Sequence, residues 1–182
     1  MAWGRGDMDN QFIFSDLINA LIARESKGDP MAVSEKGAIG LMQVRPEYAH
    51  DLYGTNAPSV FDAARQRGFD VPAEDVATAR GLLFDPEINM AVGDPYLRDL
   101  FRAFGGDMNN ALTAYNAGPD AMQDVLARGE GPQDMGQQAR EYSGHIRRLY
   151  RDATGKELPN QIDLQQLTRP RQRPSGLLEM TQ

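Results

Sequence analysis

Apolar residues recur at helical spacing through the first part of the chain. From Gln11 to Arg24 they fall at Phe14, Leu17, Ile18, Leu21 and Ile22, which predicts an amphipathic helix. Glu25 lies four residues after Leu21 and seven after Ile18, so it falls on the same buried stripe. Lys27-Gly28 ends this helix, and Pro30 follows where a proline is expected past a C-cap. Residues 1–10 read as a loose N-terminal arm. Ala38 to Val44 is short and apolar, with glycines at 37 and 40; it suits a buried helix or a buried strand, and the helix is favoured. Pro46 would start another helix to Leu52, and 62–67 and 73–81 suit short ones.

The second half is punctuated more sharply. Asp85-Pro86-Glu87 supplies an N-cap, a proline at N1 and an acid in the first turn. Ile88, Val92, Tyr96, Leu97, Leu100, Phe101 and Phe104 then repeat at helical spacing, with Pro95 predicting a kink or break. Asp107 caps a helix that carries Leu112 and Tyr115 and stops at Gly118. Pro119 opens another to about Arg128, 129–136 is a loop, and Gln137–Ala153 presents Tyr142, Ile146, Leu149 and Tyr150 on one face. From Lys156 the periodicity dissolves, and Arg169-Pro-Arg-Gln-Arg-Pro174 suits neither helix nor sheet centre. The fold class is therefore mainly α, with an irregular C-terminal tail. The division is a 1–10 arm, an 11–155 domain and a 156–182 tail that is disordered alone or docks on a partner.

Composition narrows the function. A net charge of −7 argues against general nucleic-acid binding, which needs a basic surface. The chain contains no cysteine, so disulfides are excluded. His50 and His145 lie too far apart in the chain to suggest a zinc pair, and no metal or other cofactor is expected. No apolar run is long enough to span a bilayer. The N-terminus lacks the apolar segment of a signal peptide, so the expectation is either a mature or trimmed chain or export by another route. Arg5-Gly6-Asp7 spells an adhesion tripeptide and is read as a chance match.

The chemistry starts from Glu25. Burial against Ile18 and Leu21, together with the carbonyl end of a helix, disfavours a carboxylate and would keep the acid protonated nearer neutrality. Taken alone, it is more simply a solvated acid at a helix end, or one paired with Arg24 or Lys27. Other segments change that balance. Gly37-Ala38-Ile39-Gly40-Leu41-Met42-Gln43 places small residues where a sugar ring can approach closely and adds an amide. Tyr115 and Asn116, at a helix end, add a phenol and a second amide. Amides and an aromatic group suit carbohydrate better than a charged ligand.

The ordered set of pieces resembles the catalytic domain of the soluble lytic transglycosylase family, which has a lysozyme-like fold. The resemblance rests on Glu25-Ser26, Ala32-Val33-Ser34, Gly37-Ala38 through Gln43, and Pro46. It continues with Pro86 through Asn89, Gly93, Tyr96-Leu97, Ala111-Leu112 and Ala114 through Pro119, and ends at Arg140-Glu141-Tyr142. It implies cleavage of the β-1,4 bond between N-acetylmuramic acid and N-acetylglucosamine in peptidoglycan glycan strands. A single acid, matched by Glu25, first protonates the leaving oxygen. It then takes the proton of the muramyl C6 hydroxyl as that hydroxyl closes on C1, giving a 1,6-anhydro end without the usual carboxylate pair. It also implies substrate contacts at Ser34, Met42, Gln43, Tyr115, Asn116 and Tyr142, with Ser26 supporting and Tyr142 close to the acid. The chain departs from the family in a long stretch from Tyr48 to Leu83, in Pro95, and in Ser143 where an apolar residue is common.

Two alternatives stand beside this reading. A hydrolytic muramidase on the same fold needs a second acid to activate water, and Asp29 is near in sequence. A structural or assembly protein would keep the fold without turnover, and the tail speaks for an assembly role beside catalysis. The expected setting is a phage particle that delivers the protein to the host periplasm, or otherwise a secretion apparatus, with the tail docked on a protein partner. No nucleic-acid sequence recognition is expected.

Overall fold

The computed structural model describes residues 5–52 and 56–164, and its regular elements are all helices. Its helices are α1 (Arg5–Glu25), α2 (Val60–Arg65), α3 (Val76–Leu82), α4 (Pro86–Ala103), α5 (Met108–Ala117), α6 (Pro119–Ala127) and α7 (Gln137–Thr154). Short 3-10 turns occupy Pro46–Tyr48 and Pro132–Asp134. Among the described residues there is no strand, only isolated bridges.

Local chemistry accounts for the helix starts. Asp85 accepts from the N–H groups of Glu87 and Ile88, both at 2.9 Å, while Pro86 fills the first turn. Asp107, Ser59 and Asp75 cap α5, α2 and α3 in the same way. α7 ends on Gly155, whose φ of 70° is the left-handed C-cap conformation.

The stripes meet in one core. α1 contributes the fully covered Leu17, Ile18 and Leu21 and packs along α7, which returns Tyr142, Ile146 and Tyr150. α5 lies between α4 and α7 and buries Ala111, Leu112 and Ala114. Each fully buried Leu or Ile contributes about 1.5–3 kcal/mol, so this contact fixes the C-terminal end of α1 firmly against α7.

Several expectations are corrected. The helix begins at Arg5, so residues 5–10 are helix and not a loose arm. α4 runs unbroken through Pro95. The missing Pro95 N–H removes only the bond to Ala91, on a helix whose opposite face is fully packed. The segment 38–44 is neither helix nor strand. Gly37, Gly40 and Gln43 all have positive φ, which breaks both patterns, and the chain doubles back through bridges from Ile39 to Val33 and to Val44. The predicted helix from Pro46 to Leu52 is one 3-10 turn.

The tail is corrected in part. Residues 156–164 pack on the body, burying Leu158 and Ile162. The Ile162 N–H donates to Gly106 O at 2.9 Å, and the Met108 N–H donates to Asn160 O at 3.0 Å. Arg147 Nη1 donates to Leu158 O at 2.6 Å. The remainder, 165–182, lies outside the described residues.

Candidate active site

Several parts of the chain converge on one cleft of about 850 Å³, within the size range of ligand-binding clefts. The end of α1 brings Glu25, and the 34–45 loop brings Ser34 and Gln43. The end of α5 brings Tyr115 and Asn116. The start of α7 brings Gln137, Gln138 and Ala139, and Tyr96 of α4 forms part of the wall. Glu35, Lys36, Arg45 and Tyr48 line it from the loop side.

Glu25 is partly buried, and the Tyr142 phenol donates to its Oε1. Burial pushes the carboxyl above its ordinary value, while the Tyr142 hydrogen bond and then the Arg24 charge pull the other way. Burial, and next the nearby Glu25 charge, hold the Tyr115 and Tyr142 phenols well above the ordinary tyrosine value. Both therefore remain hydrogen-bond donors at any physiological pH.

The loop is set by polar groups the core encloses. Asn89, fully buried on α4, accepts from the Met42 N–H at 2.8 Å and donates to Ile39 O at 2.8 Å and Leu83 O at 3.0 Å. Gly40 sits so close that an added Cβ would lie 2.7 Å from Leu83 O. Tyr115 donates to Met42 O at 2.7 Å, which ties α5 to the same loop. Gln43 is held at φ 51°, and its amide donates to Gly40 O at 2.9 Å and Ala32 O at 3.3 Å. Ser34 Oγ accepts from the Ala38 N–H at 3.0 Å. Ser26 donates to Leu41 O at 2.9 Å and accepts from the Gly28 N–H at 3.2 Å, so it bolts the end of α1 to the loop.

The sequence-derived residues thus divide. Glu25, Ser34, Gln43, Tyr115 and Asn116 share the cleft, and Ser26 stands behind them. Met42 does not reach it: its side chain is fully covered and packs against Gly93, where an added Cβ would lie 2.6 Å from its sulfur. Tyr142 is also covered, and its hydroxyl is committed to Glu25. Contact through these two side chains is therefore corrected to a supporting place, because packing leaves them no open surface. Asp29, weighed as a second acid, is exposed outside the cleft and accepts from the Met31 N–H at 2.8 Å. Sequence reasoning missed Tyr96, whose ring centroid stands 5.4 Å from that of Tyr115, and Asn89. A polar residue in i, i+3, i+7 register with Val92 and Tyr96 was the readable signal for Asn89. Among the described residues no cluster of metal-ligating side chains occurs, and no helix is long and apolar enough to cross a membrane.

The helical, lysozyme-like fold matches solved structures of lytic transglycosylases. The 70-kDa soluble lytic transglycosylase of Escherichia coli superposes with a TM-score of 0.58 at 21% identity, over 84% of this chain and 25% of that one. The lytic transglycosylase Slt of Pseudomonas aeruginosa superposes with a TM-score of 0.56 over 86% of this chain and 24% of that one, also at 21% identity. Residues 8–134 match the Transglycosylase SLT domain, and the chain belongs to that family. It is 32% identical over 112 residues to the soluble lytic murein transglycosylase of Escherichia coli K12, a match covering 62% of this chain and 15% of that protein. It is 31% identical over 122 residues to the membrane-bound lytic murein transglycosylase C of Edwardsiella ictaluri, covering 63% of this chain and 30% of that protein. The chain therefore spans a minor part of these relatives' length.

Proposed function

We propose that the protein is a peptidoglycan lytic transglycosylase that cleaves the β-1,4 bond between N-acetylmuramic acid and N-acetylglucosamine. The observation that carries this reading is Glu25, held in a cleft above its ordinary pKa with a phenol fixed on its carboxylate. Protonated Glu25 gives its proton to the leaving glycosidic oxygen as the C1–O bond breaks. The resulting carboxylate takes the proton of the muramyl C6 hydroxyl while that oxygen bonds to C1, so the acid is regenerated and no water is consumed. Ser34, Gln43, Tyr115 and Asn116 line the path of the sugar chain. Among the described residues the other carboxylate lining the cleft is Glu35, exposed on the loop side; of these, it is the one a hydrolytic muramidase could use to activate water.

Digesting purified sacculi and weighing the muropeptides tests the reading. 1,6-Anhydro ends are expected. Reducing ends would replace it with the muramidase, and intact sacculi would replace it with an assembly role.

The setting belongs to the same proposal: a phage particle carrying the enzyme to the host periplasm, or a secretion apparatus. Three arginines and two prolines within 169–174 suit a protein partner better than a packed core. Deleting 165–182 should spare activity on sacculi and abolish incorporation into the particle; unchanged incorporation would rule out this anchor.

A further inference from the structure

We infer that Arg24 is a positioning residue for Glu25, acting through the Tyr142 ring over which it lies. The Arg24 guanidinium carbon is 5.5 Å from the Tyr142 ring centroid, within cation–π range. The hydroxyl of that ring donates to Glu25. Three side chains from two helices therefore form a chain: cation, ring face, phenol, carboxyl. Arg24 Nε is buried and has no hydrogen-bond acceptor among the described residues. Nor does an ion pair hold Arg24 among them; its guanidinium faces the Tyr142 ring.

Two effects follow. The guanidinium restrains the ring, so the phenol addresses Glu25 without first losing rotational freedom. Its charge also favours the carboxylate that Glu25 becomes once its proton has left, which opposes the effect of burial. The other groups around this point do not duplicate it. Tyr142 and His145 face it from α7, Tyr115 from α5, with Tyr96 and Asp94 of α4 acting on Tyr115, and Arg148 acting on His145. Glu35, Lys36 and Arg45 line the cleft from the loop. Burial, then Arg24 and Arg148, hold His145 below its ordinary value, which disfavours its charged form.

Removing the cation disfavours the carboxylate, so Glu25 titrates at higher pH. Proton donation requires protonated Glu25, so the alkaline limb of the rate profile moves upward too. The test follows the Glu25 carboxyl carbon by NMR in wild type, Arg24→Gln, Arg24→Lys and Tyr142→Phe, alone and combined. Arg24→Met replaces Arg24→Gln if that protein fails to fold. Arg24→Gln should titrate higher than wild type, and Arg24→Lys, which keeps the charge, should stay near it. The Arg24→Gln effect should shrink when Tyr142 is Phe, because the linking hydroxyl is gone. In turnover, Arg24→Gln should lower kcat about tenfold with KM nearly unchanged, as expected for a group that acts on the transition state. An unmoved Glu25 in Arg24→Gln, an equal shift in Arg24→Lys, or an undiminished effect in the Tyr142→Phe background overturns the inference. The rate arms rest on the transglycosylase reading, but the titration needs no substrate. A shifted Glu25 in a protein that cuts nothing would end that reading and leave this inference standing, and cleavage with an unmoved Glu25 would do the reverse.

Discussion

The Tyr142 phenol donates its hydrogen bond to Glu25 Oε1, joining residues 117 positions apart in the chain. The contact exists because α1 packs along α7, which brings the last turn of one helix against the first turns of the other. Tyr142→Phe removes the donor and leaves the ring in its buried site. The Glu25 carboxyl should then rise further, since a bond that favours its charged form is gone. Activity should fall about tenfold, with a stability loss of about 1 kcal/mol. Steady-state kinetics and urea denaturation of the one variant check both.

Glu25→Gln should reduce muropeptide release by about 100-fold or more, the range for loss of a general acid. It should also stabilise the fold at neutral pH. The folded-state pKa of Glu25 is raised above 4.5, so its ionisation weakens the folded state as pH climbs through that value. The melting temperature of Glu25→Gln should exceed that of wild type at pH 7, and the gap should close below about pH 4.5. Thermal melts across this range provide the measurement.

Asn89→Asp should cost about 3 kcal/mol or more at neutral pH. The amide that donates to Ile39 O and Leu83 O becomes a carboxylate facing two carbonyls. Burial and those carbonyls raise the new acid's pKa, so the deficit against wild type should narrow as pH falls and the acid protonates. Denaturation at pH 4 and pH 7 separates this from a simple packing defect.

Gly40→Ala should unfold or loosen the 37–44 loop. The residue has a φ of 76°, and an added Cβ would press on the Asn89 side chain and on Leu83 O. Strain and clash together should exceed the usual ~1 kcal/mol of a glycine replacement. Hydrogen exchange at Gln43 and the melting temperature report it.

Two truncations separate the tail from its packed beginning. Ending the chain at Leu164 should leave the melting temperature unchanged. Ending it at Gly155 removes Leu158 and Ile162 from the core and the backbone bonds to Gly106 and Met108. It should cost about 3 kcal/mol or more from the two apolar side chains alone, and a melting curve of each shortened chain decides it.

Much of this was readable from spacing. The stripe Phe14–Leu21, the Asp85-Pro86 start and the Gly118-Pro119 boundary rest on local rules, because capping and helical periodicity involve residues within a few positions of one another. The loop 38–44 was not readable in the same way. Its apolar composition fits several conformations, and the choice among them depended on Asn89, roughly fifty positions away, supplying partners for Ile39 and Met42. Met42 and Tyr142 share that limit: their types suit a binding surface, and only packing against Gly93 and beneath Glu25 removes them from the cleft.

The sequence by itself determined that this chain is helical, where most helices start and stop, and that Glu25 ends a buried stripe beside small residues and amides. Those properties follow from short-range geometry and from the order of the motifs. The tertiary structure decided which of the candidate side chains face the cleft, what holds Glu25, and that Arg24 lies over the ring that does so. Those properties depend on how α1, α4, α5 and α7 pack, and on burial, which no residue acquires until its distant neighbours are in place.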